Sequence, residues 1–271
     1  MSLMMASPGA RFVTREEAFR TDIIPVRTRT YHPVTNEELI SMTHKVAEEH
    51  GLILTNEELG MNKKKTQMFA MFEVEGKDFF DNQIKMMLGL INSYDGTLSA
   101  KSLFGSKVNI CSNLSFYASS GENGISSMVS RKHTNNVFSE ENGLWYRLNK
   151  NLELVDTFCR KQERFCEQLK ETELNKERAY STIVRSAKEG VIGKTDILDV
   201  ADIWDFQTER YPDSEEEYEN EWHEEFRNQD CYSLFNCFTQ NNKSRIERNP
   251  VMASLDTLKL TSFFNKEFAL N

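Results

Sequence analysis

The stretch TQMFAMFEVE, residues 66–75, decides the fold, because its apolar residues alternate with a period of two. The residues that would share one face of this strand are Met68, Ala70, Phe72 and Val74. A second stretch, IKMMLGLINSYDGT at residues 84–97, ends in Asp95-Gly96. Asp-Gly favours a tight turn because both residues accept positive φ. The two stretches together predict strands of a largely antiparallel sheet.

The segments around this sheet core extend the prediction in both directions. We predict further strands at about 52–55, 98–104, 107–117 and 125–132. Upstream, Thr35-Asn36-Glu37-Glu38 has the pattern of a capping box and predicts a helix over 36–50. Residues 1–30 have no clear periodicity and are predicted to form an extended N-terminal arm, so that 31–135 is a β-rich α+β region.

Past residue 136 the apolar spacing becomes that of a helix. One helical stripe is formed by Leu144, Leu148, Leu152, Val155, Phe158, Cys159, Cys166 and Leu169. Further helices are predicted over 173–189, from Thr195 onward, over 228–240 and over 251–265. The predicted fold class is therefore α+β: a mostly antiparallel sheet with one early helix, followed by a helical region, 136–271, that packs on it.

The composition indicates a globular protein. The chain has 271 residues, 39% of them hydrophobic and 28% charged, which excludes a collagen-like or largely disordered chain. Its longest apolar stretch, Met86–Ile91, is too short to cross a bilayer, and its first residues contain no hydrophobic signal core. Five scattered cysteines indicate a reducing compartment. We therefore expect a cytoplasmic protein without a disulfide framework or a membrane partner.

The net charge of −9 comes mainly from one segment. Asp213–Glu225 contains eight acids and no Lys or Arg, and the chain without it is close to neutral. This acidic segment is either a solvated loop or helix face, or a regulatory element that mimics nucleic acid or docks on a basic partner.

No motif for catalysis, metal binding or nucleotide binding emerges. Cys159 and Cys166 are seven residues apart, and Cys231 and Cys237 are six apart, spacings that do not match a zinc knuckle. The sequence contains neither a P-loop, nor a dinucleotide-binding glycine motif, nor a nucleophile elbow. We predict no catalytic residue, no metal ligand and no cofactor. This favours a non-enzymatic role, although an unrecognised metal-dependent enzyme stays open.

A basic region within the predicted sheet indicates contact with nucleic acid. Between residues 98 and 134 four cations, Lys101, Lys107, Arg131 and Lys132, stand against the single acid Glu122. Cations that neutralise phosphates, next to aromatic rings that stack on bases, are what binding of single strands requires. The candidate phosphate-contacting residues are Lys63, Lys64, Lys65, Lys101, Lys107, Arg131, Lys132 and His133, with Phe104 and Tyr117 as candidate stacking partners. The alternative is a solvated charged face.

Several segments in order resemble one family, the phage- and plasmid-associated proteins called domain of unknown function 932. The similar segments are Pro33–Leu39, the turn Asn92–Thr97 (with Tyr94 where the family usually has His), the Gly105, Val108, Cys111 and Asn113 pattern, Arg131–Thr134, and Tyr232–Thr239 leading to Ser244-Arg245. The resemblance implies a phage, prophage or plasmid origin and no catalytic residue. The motif residues Asn92, Asp95 and Gly96 are also explained by a structural role in the hairpin turn.

Two functions follow as expectations. The first is a phage- or plasmid-encoded protein associated with nucleic acid, which binds or anneals single strands in replication or recombination in the host cytoplasm. The alternative is a non-enzymatic interaction factor that acts on a host or phage protein through its acidic segment.

Overall fold

A computed structural model of the chain describes residues 10–79, 84–108, 114–116, 128–206, 228–248 and 250–270. Its strands are β1 (Ala10–Phe12), β2 (Leu54–Asn62), β3 (Gln67–Phe79), β4 (Ile84–Ser93), β5 (Ala100–Val108), β6 (Leu114–Phe116) and β7 (Met128–Arg131). Its helices are α1 (Arg15–Ala18), α2 (Asn36–Glu49), α3 (Leu144–Leu152), α4 (Val155–Glu171), α5 (Lys176–Lys188), α6 (Asp196–Asp205), α7 (Cys231–Arg248) and α8 (Pro250–Glu267). The predicted α+β class is confirmed.

The described strands form one antiparallel sheet in the order β1-β2-β3-β4-β5-β6. Two short strands share the outer side of β5: β7 pairs with its first half, Ala100–Leu103, and β6 with Gly105–Lys107. Neighbouring antiparallel strands put consecutive turns at opposite ends of a sheet, so the β2–β3 and β4–β5 turns lie at the same end.

The face that the alternating pattern of β3 predicted to be apolar lies in the core, and Phe69 and Met71 on the opposite face of this strand are buried as well. Met68, Ala70, Phe72 and Val74 are all buried, and Phe72 pairs with Leu88 of β4. The helix predicted over 36–50 is confirmed as α2, whose N-terminus has the predicted capping box: the Thr35 hydroxyl accepts from the Glu38 N–H, and the Glu38 carboxylate accepts from the Thr35 N–H.

Three predicted boundaries were wrong. β5 runs without a break from Ala100 to Val108, because Gly105 keeps its ladder pairing with Met87. The stripe from Leu144 to Leu169 belongs to two helices, which are separated by a turn at residues 153–154. Residues 10–18, assigned to an extended arm, form β1 and α1, and a Thr14–Glu17 capping box starts that helix.

The helical half packs through aromatic contacts. Phe235 of α7 lies between Phe165 of α4 and Phe264 of α8, at ring-centroid distances of 5.6 and 5.1 Å. Phe158 of α4 reaches Phe104 of β5 at 5.1 Å and so joins this half to the sheet. Cys166, Cys231 and Cys237 are buried in the same core. Across the residues that the structure describes, every helix is too short or too polar to span a membrane.

Candidate nucleic-acid interface

Two turns meet at one end of the sheet. The Thr66 hydroxyl donates to Oδ2 of Asp95 at 2.8 Å, and Nε2 of Gln67 donates to the Thr97 hydroxyl at 2.9 Å. Gly96 has a φ of +71°, the left-handed conformation that the Asp-Gly pair predicted. The turn at Asn92–Thr97 is thus confirmed, and side-chain hydrogen bonds fix it against the β2–β3 turn.

This end of the sheet is basic. Four segments form it, residues 20–38, 62–66, 92–101 and 130–136, and we call them together the basic end. They contain nine Lys or Arg residues and four Asp or Glu residues, in a chain whose net charge is −9. The fold therefore gathers cations that are dispersed in the sequence.

The β2–β3 turn contributes one group of cations to the basic end. Lys63 and Lys64 are exposed and Lys65 is half-buried, and the left-handed φ of +57° at Lys65 closes the turn. Asp22 lies close enough that Lys65 adds to the effect of Arg20 in lowering the Asp22 pKa. Among the described residues no acid lies within ion-pair distance of these three lysines.

A second group of cations lies where residues 27–32 dock beside the end of β7. The His32 N–H donates to the His133 carbonyl at 3.0 Å, and Nδ2 of Asn135 donates to the Arg29 carbonyl at 2.5 Å. These bonds hold residues 29–32 against residues 133–135, and the nearby cations Arg27, Arg29 and Lys132 are all exposed. Neither arginine is recognisable as a site residue from the sequence, because the contact that shows where this segment lies is the long-range bond to Asn135.

Buried hydrogen bonds tie these segments together beneath the surface. The Asn92 side-chain amide donates to the Val34 carbonyl at 2.9 Å and to Oδ1 of Asn36 at 2.8 Å. The Tyr94 hydroxyl accepts from the Asn36 N–H at 2.8 Å. Burial raises the pKa of Tyr94 to about 12, so the phenol stays protonated. Asn92 and Tyr94 therefore position α2 and the turn.

His133 belongs to this buried cluster and not to the surface. It is 5% exposed, its Nδ1 accepts from the Val34 N–H at 3.1 Å, and its ring lies 5.6 Å from that of Tyr31. Burial lowers the pKa of His133, which favours the neutral ring. Its predicted contact with phosphate was wrong, because a buried, neutral imidazole carries no charge to the surface.

The remaining sequence-predicted cations divide between the two ends of β5. Lys101 lies at the basic end, half-buried, and burial lowers its pKa. Arg131 also lies there and donates to the Asn136 carbonyl at 3.2 Å. Lys107 lies six residues from Lys101, about 20 Å along the strand. There its Nζ approaches Oε1 of Glu73 at 3.5 Å, so Lys107 does not belong to the basic end.

The two predicted stacking residues are not available at this surface. Phe104 is 1% exposed and packs in the core against Phe158, so it cannot stack on a base. Tyr117 lies outside the described residues, as does the acidic segment Asp213–Glu225. An exposed ring that the sequence analysis did not propose, Phe138, lies two residues beyond the basic end, and its 36% exposure is a signal that only the structure supplies.

Two clefts elsewhere have polar residues in their lining. A cavity of about 380 Å³ between α1 and α2 is lined by Arg15, Ser41, His44 and Lys45, among others, and one of about 630 Å³ lies beside Asn175 and Asp230. In the part of the chain that the structure describes, no three His, Cys, Asp or Glu side chains come together as metal ligands. These clefts therefore do not define a metal centre.

Comparison with known families gives a match over most of the chain. The model of the family described as "Domain of unknown function (DUF932)" matches residues 24–249, a range that contains three of the four segments of the basic end and residues 24–38 of the remaining one. Searches of curated proteins and of solved structures found no match.

Proposed function

We propose that this chain, which belongs to the domain of unknown function 932 family, is a nucleic-acid-associated protein that binds single strands at its basic end. The observation that carries the proposal is the group of exposed cations formed by Lys63, Lys64, Arg27, Arg29 and Lys132. Within the described residues these cations form no ion pair with an acid. The role would lie in replication or recombination of a phage or plasmid, in the host cytoplasm.

Unpaired cations are the appropriate chemistry for this ligand. A lysine already paired with a carboxylate must lose that partner before it neutralises a phosphate, whereas an unpaired lysine only releases the counterions of the nucleic acid. Several such cations on one surface give an affinity that falls steeply as salt rises. The net charge of −9 argues against tight nonspecific binding over the whole surface, so the contact would be confined to the basic end.

The buried cluster supports the same site. Asn92, Val34 and His133 hold the β4–β5 turn, α2 and the residue 27–32 segment to one another. Cations on loops fixed in this way lose less conformational freedom when they bind a ligand than cations on an untethered arm.

The test is fluorescence anisotropy with labelled single- and double-stranded DNA, titrated with salt. The site variant is the triple change Lys63→Gln, Lys64→Gln and Lys65→Gln. Its matched control is Lys161→Gln, Lys188→Gln and Lys194→Gln, which removes the same charge from exposed positions on the helical half. We expect saturable single-strand binding by the wild type and by the control.

The site variant should bind more weakly and with a shallower salt dependence. Each lost phosphate contact to a single strand lowers the slope of log K against log salt by about 0.7. Equal losses in both triple variants would show that only net charge matters and would contradict the basic end as the site. If the wild type fails to bind at about 50 mM salt, where electrostatic attraction is strong, the proposal is wrong and a protein partner becomes the better explanation.

A further inference from the structure

Phe138 is an exposed aromatic ring beside the basic end. It directly contacts His32, a residue of the basic end. Its ring lies edge-on to that of His32, with the centroids 5.2 Å apart and an interplanar angle of 77°. This contact restricts the orientation of the Phe138 ring while 36% of the residue stays accessible.

The ring is tied to the exposed cations through short connections. His32, which the ring contacts, donates its N–H to the carbonyl of His133, the residue that follows Lys132. Asn135, three residues before Phe138, holds the Arg29 carbonyl. The exposed Phe138 ring therefore lies in the same bonded group of segments as the exposed cations Arg29 and Lys132.

We infer that Phe138 is a base-stacking residue of the basic end and that the group it binds is an unpaired nucleobase; this inference rests on the proposed function. Every base has a π-face, so stacking on phenylalanine tolerates any sequence. Bases in a duplex are already stacked on their neighbours and are not available to the ring. Phe138 would thus discriminate single from double strands, a distinction that cations alone do not make.

The test compares three labelled probes of equal length: oligo-dT, an abasic strand that keeps the sugars and phosphates, and a duplex. Phe138→Leu removes the π-face but leaves an apolar side chain against His32. We expect it to weaken oligo-dT binding about 5- to 100-fold, as loss of one stacked base would. Binding of the abasic strand and of the duplex should not change.

Two further variants control for folding and for general hydrophobicity. Phe138→Trp keeps a ring at this position and should retain oligo-dT binding, with quenching of the added tryptophan fluorescence when the strand is bound. Phe206→Leu removes an exposed ring at the end of α6 and should bind every probe as the wild type does.

The outcomes separate this inference from the function on which it rests. If Phe138→Leu binds oligo-dT as the wild type does, while the triple lysine variant binds less tightly, the stacking role is wrong and the basic end stands as a phosphate site. Equal weakening of oligo-dT and abasic binding by Phe138→Leu would also contradict stacking, because it would indicate a role in folding. If the wild type binds none of the probes, both proposals fail.

Discussion

The backbone N–H of Val34 donates a hydrogen bond to Nδ1 of His133 at 3.1 Å, across a separation of 99 residues. Since Nδ1 accepts this bond, the neutral ring carries its proton on Nε2. The same Val34 residue offers its carbonyl to Asn92. Three of the five segments that resemble the family motifs thus meet at Val34, where Asn92 and His133 are both buried.

Replacing His133 should destabilise the protein. His133→Ala leaves the buried Val34 N–H without its acceptor and removes the ring that packs on Tyr31. We expect a loss of about 2–3 kcal/mol in the free energy of unfolding, measured by urea denaturation. His50→Ala removes an exposed ring that shares a hydrogen bond with Asn149, so it should change this free energy by less, about 0.5 kcal/mol. An unchanged midpoint for His133→Ala would contradict the role of the Val34 bond.

The stability of the wild type should depend on pH through His133. Burial lowers the folded-state pKa of this group below its ordinary value of 6.5, so the unfolded chain binds the proton more tightly. The contribution of neutral His133 to the free energy of unfolding is fully present above about pH 6.5. It is lost as the pH falls from there through the folded-state pKa. The slope is at most about 1.4 kcal/mol per pH unit, the limit for one proton.

His133→Asn isolates this effect, because an amide oxygen offers an acceptor to the Val34 N–H and does not titrate. Urea midpoints measured between about pH 7.5 and 5 should fall less for this variant than for the wild type. Parallel pH profiles for the two proteins would contradict His133 as the source of the dependence.

A second titration is predicted at Glu57 of β2, which lies beside His44 of α2. Burial acts to raise the pKa of Glu57, but hydrogen bonds from Arg15, at 2.6 and 2.7 Å, and from His44 outweigh it and lower the pKa to about 2. Because the folded-state pKa is depressed, the contribution of this carboxylate is present above about pH 4.5 and is lost as the pH falls toward 2. Arg15→Gln should move the Glu57 pKa, followed by NMR of its carboxyl carbon, toward 4.5.

The exposed Arg11–Glu17 pair supplies the control for this titration. Arg11→Gln breaks an ion pair whose side chains are 50% and 39% exposed, so it should leave the acid titration of Glu57 unchanged. If Arg15→Gln also leaves it unchanged, the guanidinium is not what keeps Glu57 ionised.

Local chemistry explains what could be predicted from the sequence. The Asp95-Gly96 pair and the capping box at Thr35–Glu38 each act within four residues, and both were correct. The alternation of side chains along β5 also bears on the predicted stacking residue Phe104. Phe104 differs from Lys101 and Lys107 by an odd number of positions, which places its ring on the other face of β5. Alternation alone therefore argues against Phe104 as a stacking partner for a strand held by these lysines.

Long-range contacts determine the remainder of the site. Lys101 and Lys107 lie on the same face of β5, but the ion pair of Lys107 with Glu73 on β3 shows that the two lysines have different surroundings. Arg27 and Arg29 reach the basic end because Asn135, more than 100 residues later, binds the Arg29 carbonyl. A pattern within one segment carries no information about a partner so far away in the sequence. The spacing of residues therefore could not predict which cations belong to the basic end.

Substitutions of Lys107 and Lys132 should have different effects, the first on the stability of the fold and the second on the binding of DNA. Lys107 is 13% exposed in its side chain and helps Lys85 to balance the buried Glu73 carboxylate, whereas Lys132 is exposed and forms no ion pair among the described residues. Lys107→Gln should therefore lower the free energy of unfolding by about 1–2 kcal/mol, since Glu73 keeps less compensation for its burial. It should leave the affinity for single-stranded DNA unchanged.

Lys132→Gln should do the reverse, because a solvated cation contributes little to folding but releases counterions when it meets a phosphate. Urea denaturation and salt-titrated anisotropy on the same two preparations measure both quantities. Weaker binding by Lys107→Gln, with Lys132→Gln unaffected, would move the binding surface to the far end of β5. The basic end would then be only a solvated face.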